Sequence, residues 1–441
     1  MGGKVRDTKK SATGGMGAAV VRKRVARGVT RIRGTLRSLW RQRMKLPGGL
    51  GHLTYSMLVH PADTWEQLWD SCQRYLPAVK KRVSPGAAFG VCLRLSPISA
   101  DRLTKEPAEL EKLKVFLADN DMYVFTANAF PYGAFKGVRV KEQVYEPDWR
   151  TEDRASYTMR VADVLAALSR PDISPSIQSP PLGYKPRVTG PDVVEAYTSQ
   201  LHRVVAYLVD LERRTGRMVT LALEPEPSCY LELTSELISY FKDHIYTSAS
   251  SKALAKEMGA TQAQAERALR KHLGAVFDIC HQAVEYEDIP QALADLRKAE
   301  VPVFKLQPAS ALRIPRVTKE IADALRAFDD PIYLHQTIER RNGKTIQYAD
   351  LPAALASWNS EPRDCEWRIH FHVPVFLDKI NLFQTTRAAI EDALRAHKTN
   401  PVSSHVEIET YTWDVLPEKL KTGDIVDYVS RELEWLRGQL V

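Results

Sequence analysis

The chain has 441 residues, of which 44% are hydrophobic and 26% are charged, a balance typical of a globular protein with a large core. No stretch approaches the roughly 20 apolar residues that a membrane-spanning helix needs. Five scattered cysteines without C-x-x-C spacing favour free thiols in a reducing, cytoplasmic compartment and argue against a zinc ribbon or a disulfide framework: Cys72, Cys92, Cys229, Cys280 and Cys365.

The net charge of +8 comes from the first 45 residues, which hold 14 lysines and arginines and one acidic residue. The remainder holds 48 basic and 53 acidic residues, so we expect no nucleic-acid partner for the body of the protein. We expect residues 1–43 to form a basic, disordered leader. It is a nucleic-acid or lipid-binding arm, a targeting segment, or the product of a mis-assigned start upstream of Met44.

From Gly51 onward, short β-rich runs alternate with longer helical patterns, which is typical of βα units around a parallel sheet. Helices are predicted between most strands, at 64–76, 107–120, 156–168, 191–215, 235–244, 261–272, 290–299, 318–327, 385–397 and 424–437. Nine runs are predicted as strands: Leu53–His60, Phe89–Ser96, Met122–Phe130, Ile173–Ser179, Val219–Glu224, Ala275–His281, Val303–Pro308, Ile369–Phe376 and Ser404–Trp413.

Eight βα units would form an α/β fold, the (β/α)8 TIM barrel, so one of the nine strands is accessory. The segment Ile332–Tyr348 contains Asn342-Gly343 between β-prone runs and predicts an inserted β-hairpin. We therefore expect residues 44–441 to form a single barrel domain with a hairpin insertion near 332–348.

Polar side chains cluster where five successive predicted strands end, which is where barrels of this kind assemble their active sites. Burying so many polar groups costs several kcal/mol unless a metal or hydrogen bonds offset the cost. Carboxylates with imidazole suit a divalent metal such as Mn²⁺, Co²⁺, Mg²⁺ or Zn²⁺. The strand-end residues are Glu224, with Glu226 beyond it, Asp278 with His281, Lys305 with Gln307, His370 with His372, and Glu407 with Glu409.

The order of the motifs LEP, FDICH, a histidine and a last-strand glutamate resembles the xylose isomerase-like barrels, which include sugar isomerases and epimerases. Longer motifs, among them FPYGAFKGVRVKEQVYEPDWR, ALEPEPSCYLE and FDICHQAVEYED, are similar to one subgroup, the bacterial metabolite-traffic proteins named EboE. The likeness covers nearly everything from about Lys45 to Pro417.

The resemblance implies one metal held by four ligands, namely Glu224, Asp278, a histidine and Glu409. The strand after Asp278 carries Gln307 where the resemblance implies a histidine, so either His372 supplies the ligand or Gln307 coordinates through its carbonyl oxygen. The resemblance also implies that His281 contacts substrate hydroxyls. Lys305 is expected to act in acid–base chemistry or to fix a substrate oxygen.

The motif Ala129–Gly137 follows the third strand and predicts either a loop over the barrel mouth or a packed surface loop. In the first case Phe130, Tyr132 and Phe135 line an apolar wall, and Asn128 points toward the same rim.

Three functions follow as hypotheses. The first is a metal-dependent isomerase or epimerase of a polyhydroxylated small metabolite, in which Glu224 and Glu409 bind metal and exchange a proton. The second is a non-catalytic binding or delivery protein, because fold alone does not decide function. The subgroup implies a role in metabolite-precursor trafficking or maturation, with partner proteins of which some are membrane-associated. A scaffold that docks partners through the Arg313–Arg316 region and the hairpin is a third hypothesis.

Overall fold

A computed structural model of the chain describes residues 1–3, 44–358 and 364–441. Almost all of the predicted leader lies outside the described residues, so it stays a prediction. In chain order the strands are β1 His52–Tyr55, β2 Phe89–Arg94, β3 Met122–Asn128, β4 Ser176–Ser179, β5 Thr220–Leu223, β6 Leu273–Asp278, β7 Val303–Gln307, β8 Ser310–Ile314, β9 Thr337–Arg341, β10 Lys344–Tyr348, β11 Glu366–Val373, β12 Lys379–Ile380, β13 Phe383–Thr385 and β14 His405–Ile408.

Eight of these strands form one parallel sheet in the order β1-β14-β7-β6-β5-β4-β3-β2. The two ends of that order meet, because Ser56 bridges Cys92 in parallel and the Thr54 hydroxyl donates to the Gly90 carbonyl at 2.9 Å. The sheet is therefore a nearly closed barrel, and the prediction of a (β/α)8 TIM barrel is confirmed. Its strands are apolar and buried on both faces, as parallel strands covered by helices must be.

Most helices follow the barrel strands and pack on the outside of the barrel, whereas Lys319–Leu325 and Leu351–Ser357 pack in the core of the inserted segment between β7 and β14. Most of them begin where an N-cap side chain accepts a backbone N–H, as Thr64, Thr151 and Asp424 do. The α-helices span Trp65–Val83, Pro97–Lys105, Pro107–Asp119, Glu152–Leu168, Pro191–Thr215, Thr234–Tyr240, Ser248–Met258, Gln262–His272, Ile279–Val284, Ile289–Lys298, Lys319–Leu325, Leu351–Ser357, Arg387–Thr399 and Ile425–Leu440. No helix in the described ranges is both long and apolar enough to cross a membrane.

The remaining six strands form a separate antiparallel sheet, in the order β10-β9-β11-β8-β13-β12, inserted between β7 and β14. Only Pro308 and Ala309 separate β7 from β8. A parallel crossover needs a dozen or more residues, so β8 has to leave the barrel. The insertion has its own apolar core, which includes Leu312, Phe328 and Trp367.

The predicted hairpin is present as β9 and β10, joined at Asn342-Gly343 with φ of 52° and 74°, as a type I′ turn requires. It is one edge of the larger inserted sheet. The accessory run among the nine predicted strands is Ile369–Phe376, which lies within and just beyond β11 of the insertion. Counting its histidines among the strand ends of the barrel was therefore wrong. A buried apolar strand has the same sequence pattern in a parallel and an antiparallel sheet, so periodicity could not separate them.

Candidate metal centre

Three buried carboxylates converge at the carboxyl end of the barrel. Glu224 directly follows β5, Asp278 ends β6, and Glu409 directly follows β14. One oxygen from each lies within 4.8 Å of the others, and none of the three residues is more than 4% exposed. The predicted metal ligands Glu224, Asp278 and Glu409 are therefore neighbours in space.

Burial, followed by the proximity of the other acids, raises the pKa of Glu224 and of Glu409 well above the ordinary value for a glutamate. Burial raises the pKa of Asp278 only to about 6, because the opposing effects of His372 and of two backbone N–H groups favour its charged form. Three neighbouring acids that resist ionisation form a site in which a bound cation would stabilise the ionised carboxylates.

Asp278 has one satisfied oxygen and one unsatisfied oxygen. Its Oδ1 caps the helix Ile279–Val284, accepting the N–H groups of Cys280 at 2.6 Å and His281 at 3.2 Å. Its Oδ2 is buried and has no hydrogen-bond partner among the described residues. A buried polar atom without a partner is costly, and a bound cation at Oδ2 would remove that cost.

Gln307, the other predicted ligand, lies beside Asp278 in the register of β6 and β7. Both its amide nitrogen and its amide oxygen are buried without a hydrogen-bond partner in the described ranges. Its carbonyl oxygen is therefore free to coordinate a cation. Either Gln307 or His372 can thus supply the fourth ligand beside Glu224, Asp278 and Glu409.

Three histidines lie next to the carboxylates. His281 comes from the helix after β6, whereas His370 and His372 share one face of β11, so two of the three come from the insertion. Ligand atoms of Asp278, His281 and His372 lie within 4.8 Å of one another. Burial lowers the pKa of His281 and of His372 to about 4, which keeps both rings in the neutral form that binds metals.

Lys305 is fully buried inside the barrel and lies behind the carboxylates. Its ammonium forms an ion pair with Glu407 and donates to the side-chain oxygens of Asn128 and Gln178, each at 2.8 Å. Burial disfavours its charge, but Glu407 leaves the pKa of Lys305 above its ordinary value. All three N–H donors are occupied, so Lys305 is placed as a positioning residue and not in contact with the pocket.

Lys305 fixes which way two amides point. Because their oxygens face the ammonium, the Gln178 amide N–H donates to Glu224, and the Asn128 amide donates to Glu409 at 3.5 Å. Partners of this kind orient metal-binding side chains and hold their basicity. Asn128, predicted at the rim, instead belongs to this buried network.

A narrow pocket opens above the site. Its volume is about 40 Å³, which is room for a few waters. Its polar lining comes from the candidate metal centre and includes Glu224, Glu226, His281, His370 and Glu409. Its aromatic lining, here called the roof, includes Phe130, Phe135, Tyr145, Tyr333 and Tyr411.

The loop after β3 does cover the mouth in part. Phe130 stacks on Tyr145, and Phe135 packs against Tyr333 with ring centroids 4.7 Å apart. Tyr132 instead packs edge-on against Tyr157 and does not belong to the pocket lining. Gln307 is also absent from the lining.

Glu226, to which the strand-end pattern assigns no role of its own, faces the pocket. Burial raises its pKa to about 8, even though the Tyr145 hydroxyl donates to its Oε1 at 2.6 Å. A pKa near neutral suits a group that takes up and releases protons. Its position two residues after Glu224 was the available signal, but only the fold shows that the chain turns Glu226 back into the pocket.

The donor set fits a divalent cation. Carboxylate oxygens, an unpartnered Asp278 oxygen, a free amide oxygen and neutral imidazoles are the groups that such ions take in proteins. A cation held by Glu224, Asp278 and Glu409 would polarise a substrate carbonyl or hydroxyl in the pocket.

No family model matches the chain, and no curated protein sequence matches it. Solved structures do match. The IolI protein with a bound zinc atom is 10% identical, with a TM-score of 0.44 over 88% of this chain and 99% of that one. A xylose isomerase-like TIM barrel protein from Mycobacterium smegmatis with magnesium is 10% identical, with a TM-score of 0.45 over 88% and 96%. The 3-keto-D-glucoside 4-epimerase YcjR from E. coli is 12% identical, with a TM-score of 0.36 over 78% and 98%.

Structures similar to this chain are thus xylose isomerase-like TIM barrels. The zinc, the magnesium and the epimerase activity are properties of those proteins. None of them carries the metabolite-traffic name, so the resemblance to that subgroup stays a prediction.

Proposed function

We propose that this chain is a metal-dependent isomerase or epimerase of a small polyhydroxylated metabolite. The observation that carries the proposal is the convergence of Glu224, Asp278 and Glu409, all buried, at the carboxyl end of the barrel under a pocket. A protein that only carried a metabolite would have no need to bury three acids together, since that arrangement is costly without a cation.

The pocket-facing residues divide the work. Glu224 and Glu409 line the pocket and, together with Asp278, would hold the cation. Glu226, held by Tyr145, is placed to move a proton at a carbon of a small substrate. His281 faces the pocket and can orient a hydroxyl group.

The pocket has room for only a few waters as it stands. We therefore expect the aromatic roof to open when a sugar-sized molecule enters. Phe135, Tyr333 and Tyr411, which pack on one another in that roof, would then close over the bound molecule and exclude water.

The first test is metal content together with proton exchange. Purified protein is analysed for divalent metals and then incubated in D₂O with a panel of pentoses, hexoses and their phosphates. We expect a bound metal and deuterium incorporation at carbon for a member of the panel. In Glu224→Gln the incorporation should be lost and the metal content per chain should fall. Glu111→Gln, which changes a surface acid paired with Lys114, is the matched control and should change neither.

The same experiment separates the enzyme from a delivery protein. A carrier would retain a metabolite from cell extract in stoichiometric amount, without deuterium incorporation and without turnover. If the protein binds no divalent metal and Glu224→Gln keeps its biological role, the enzyme proposal fails.

At the level of the pathway, we propose a role in the trafficking or maturation of a metabolite precursor in the cytoplasm. The support is the resemblance of the long motifs, such as FPYGAFKGVRVKEQVYEPDWR and FDICHQAVEYED, to the metabolite-traffic subgroup. Cell fractionation followed by cross-linking tests it: partners from the same pathway, some in the membrane fraction, are expected. Their absence, or recovery of the chain outside the cytoplasm, would count against this role.

A further inference from the structure

His281, His370 and His372 form a cluster that the proposed carboxylate site does not use in full. All three are buried, with exposures of 3%, 2% and 0%. The Nε2 atom of His370 lies 3.2 Å from that of His281 and 3.1 Å from that of His372. Ligand atoms of His281 and His372 lie within 4.8 Å of each other, so the three rings gather where the insertion meets the barrel.

The opposite nitrogen of each ring is already committed. The Nδ1 atom of His281 lies 2.8 Å from the Pro225 carbonyl, and that of His372 lies 2.7 Å from the Glu409 carbonyl. A carbonyl oxygen only accepts, so both Nδ1 atoms carry the proton. In a neutral ring the Nε2 atom is then an unprotonated lone pair.

His370 follows the same pattern through a glutamine. Its Nδ1 atom lies 2.8 Å from Oε1 of Gln336, whose amide nitrogen donates to the Pro227 carbonyl at 3.0 Å. That second bond fixes the orientation of the amide, so its oxygen faces the histidine and Nδ1 has to be the donor. The Nε2 lone pair of His370 consequently faces the Nε2 lone pairs of both His281 and His372.

Lone pairs that converge in this way repel unless something positive lies between them. Nitrogens bound tetrahedrally to one zinc ion at 2.0–2.1 Å lie about 3.3 Å from each other. The observed separations of 3.2 and 3.1 Å match that spacing to within a few tenths of an ångström. The ring centroid of His370 lies 4.6 Å from that of His281 and 5.1 Å from that of His372, close to the value of about 5 Å for imidazoles around one such ion. The centroids of His281 and His372 lie 6.0 Å apart.

A fourth donor is in place. The unpartnered Oδ2 atom of Asp278 lies 3.7 Å from Nε2 of His281, and Asp278 also belongs to the carboxylate set. On another side, His281 and His370 line the pocket, which leaves access for a ligand. We propose that His281, His370 and His372 bind a divalent transition-metal ion of their own, beside the ion held by Glu224 and Glu409, with Asp278 between the two.

Imidazole-rich sites of this kind take Zn²⁺, Co²⁺, Ni²⁺ or Cu²⁺ in preference to Mg²⁺, which favours oxygen ligands. The two positions should therefore differ in metal preference. The assignment goes beyond the proposed isomerase or epimerase activity, because it concerns a separate ion and holds whatever the substrate is.

The test uses the full chain loaded with Zn²⁺, the metal content per chain, and X-ray absorption at the zinc edge, which counts imidazole ligands. Wild-type protein should hold two ions. His370→Ala should hold one ion with oxygen-rich coordination, and Glu224→Gln should hold one ion with three imidazoles. His202→Ala removes a buried histidine that is bonded to Ser250 outside the site, and it should keep both ions.

The outcomes separate the two proposals. One ion with three imidazoles that is lost in His370→Ala supports the histidine site and contradicts the carboxylate site of the proposed function. One ion that is lost in Glu224→Gln and unaffected by His370→Ala overturns the histidine site. If His370→Ala does not fold, the wild-type spectrum decides, since no more than one imidazole per chain also overturns it.

Discussion

Replacing Lys305 by methionine tests the buried network that orients the carboxylates. The variant removes the cation that neutralises Glu407 and leaves the side-chain oxygens of Asn128 and Gln178 without their 2.8 Å donor. Removing one partner of a fully buried ion pair typically costs about 3–5 kcal/mol, because the other charge stays buried and unpaired. We expect Lys305→Met to lower the free energy of unfolding by about that amount.

The assay is urea unfolding of metal-free protein at pH 7. Lys319→Met, which changes an exposed lysine paired with Asp323, is the control and should change stability by less than about 1 kcal/mol. The double variant Lys305→Met/Glu407→Gln removes both charges. Its loss of unfolding free energy should be smaller, by about 2 kcal/mol or more, than the sum of the losses in the two single variants.

The same substitution should weaken metal binding. Without the ammonium, the amides of Gln178 and Asn128 are free to turn, and Glu224 and Glu409 lose donors that hold them in place. Loss of such orienting partners typically lowers metal affinity about 10–100-fold. The positioning role would be refuted if the unfolding free energy of Lys305→Met stayed within about 1 kcal/mol of the wild-type value and its metal affinity were unchanged.

Three further results are expected. Gly51→Ala should lower the free energy of unfolding by more than about 2 kcal/mol, because φ at Gly51 is +86° and the new Cβ would collide with the Ser404 carbonyl. The control Gly216→Ala, at a φ of +68° with open space around the new Cβ, should cost only about 1 kcal/mol. Equal losses in thermal or urea unfolding would contradict the argument. Burial lowers the pKa of His202 from 6.5 to about 4. The contribution of the neutral ring to stability is therefore present above pH 6.5, and about 3 kcal/mol of stability is lost as the pH falls toward 4. His202→Gln should flatten that part of the stability profile, and an unchanged profile would contradict this assignment. Returning Zn²⁺ to chelator-stripped protein at 100 times its dissociation constant should add about 2.7 kcal/mol per site to the free energy of unfolding, and no rise in melting temperature would count against any metal site.

Much of the barrel could be predicted from the sequence because βα units carry strong local signals. The helix Pro191–Thr215 begins and ends at the predicted residues, since Pro191 starts it and Gly216 ends it in the left-handed region. Val303–Pro308 and Ser404–Trp413 each contain a barrel strand. The carboxylates could be predicted because parallel strands bring their carboxyl ends to one edge.

The inserted sheet could be predicted only in part. The hairpin had a turn signal at Asn342-Gly343, whereas β11 had only an apolar run with two histidines. Which sheet a buried run joins depends on contacts far away in the chain, and a single sequence does not show them. The alternation of His370 and His372 was visible, but not that His370 would meet His281 across the two sheets at 3.2 Å.

The insertion therefore completes the site that the barrel begins. The resemblance implied a histidine on the strand that carries Gln307, and the two residues after that strand send the chain out of the barrel into β8. The chain returns along β11, where the His372 ring bonds to the Glu409 carbonyl and its other nitrogen turns toward His370. An ion at the histidines would thus tie β11 to the barrel, and metal binding should stabilise the docking of the insertion as well as the site. Hydrogen exchange in β11 should slow on zinc loading in wild type and in Glu224→Gln, but not in His370→Ala.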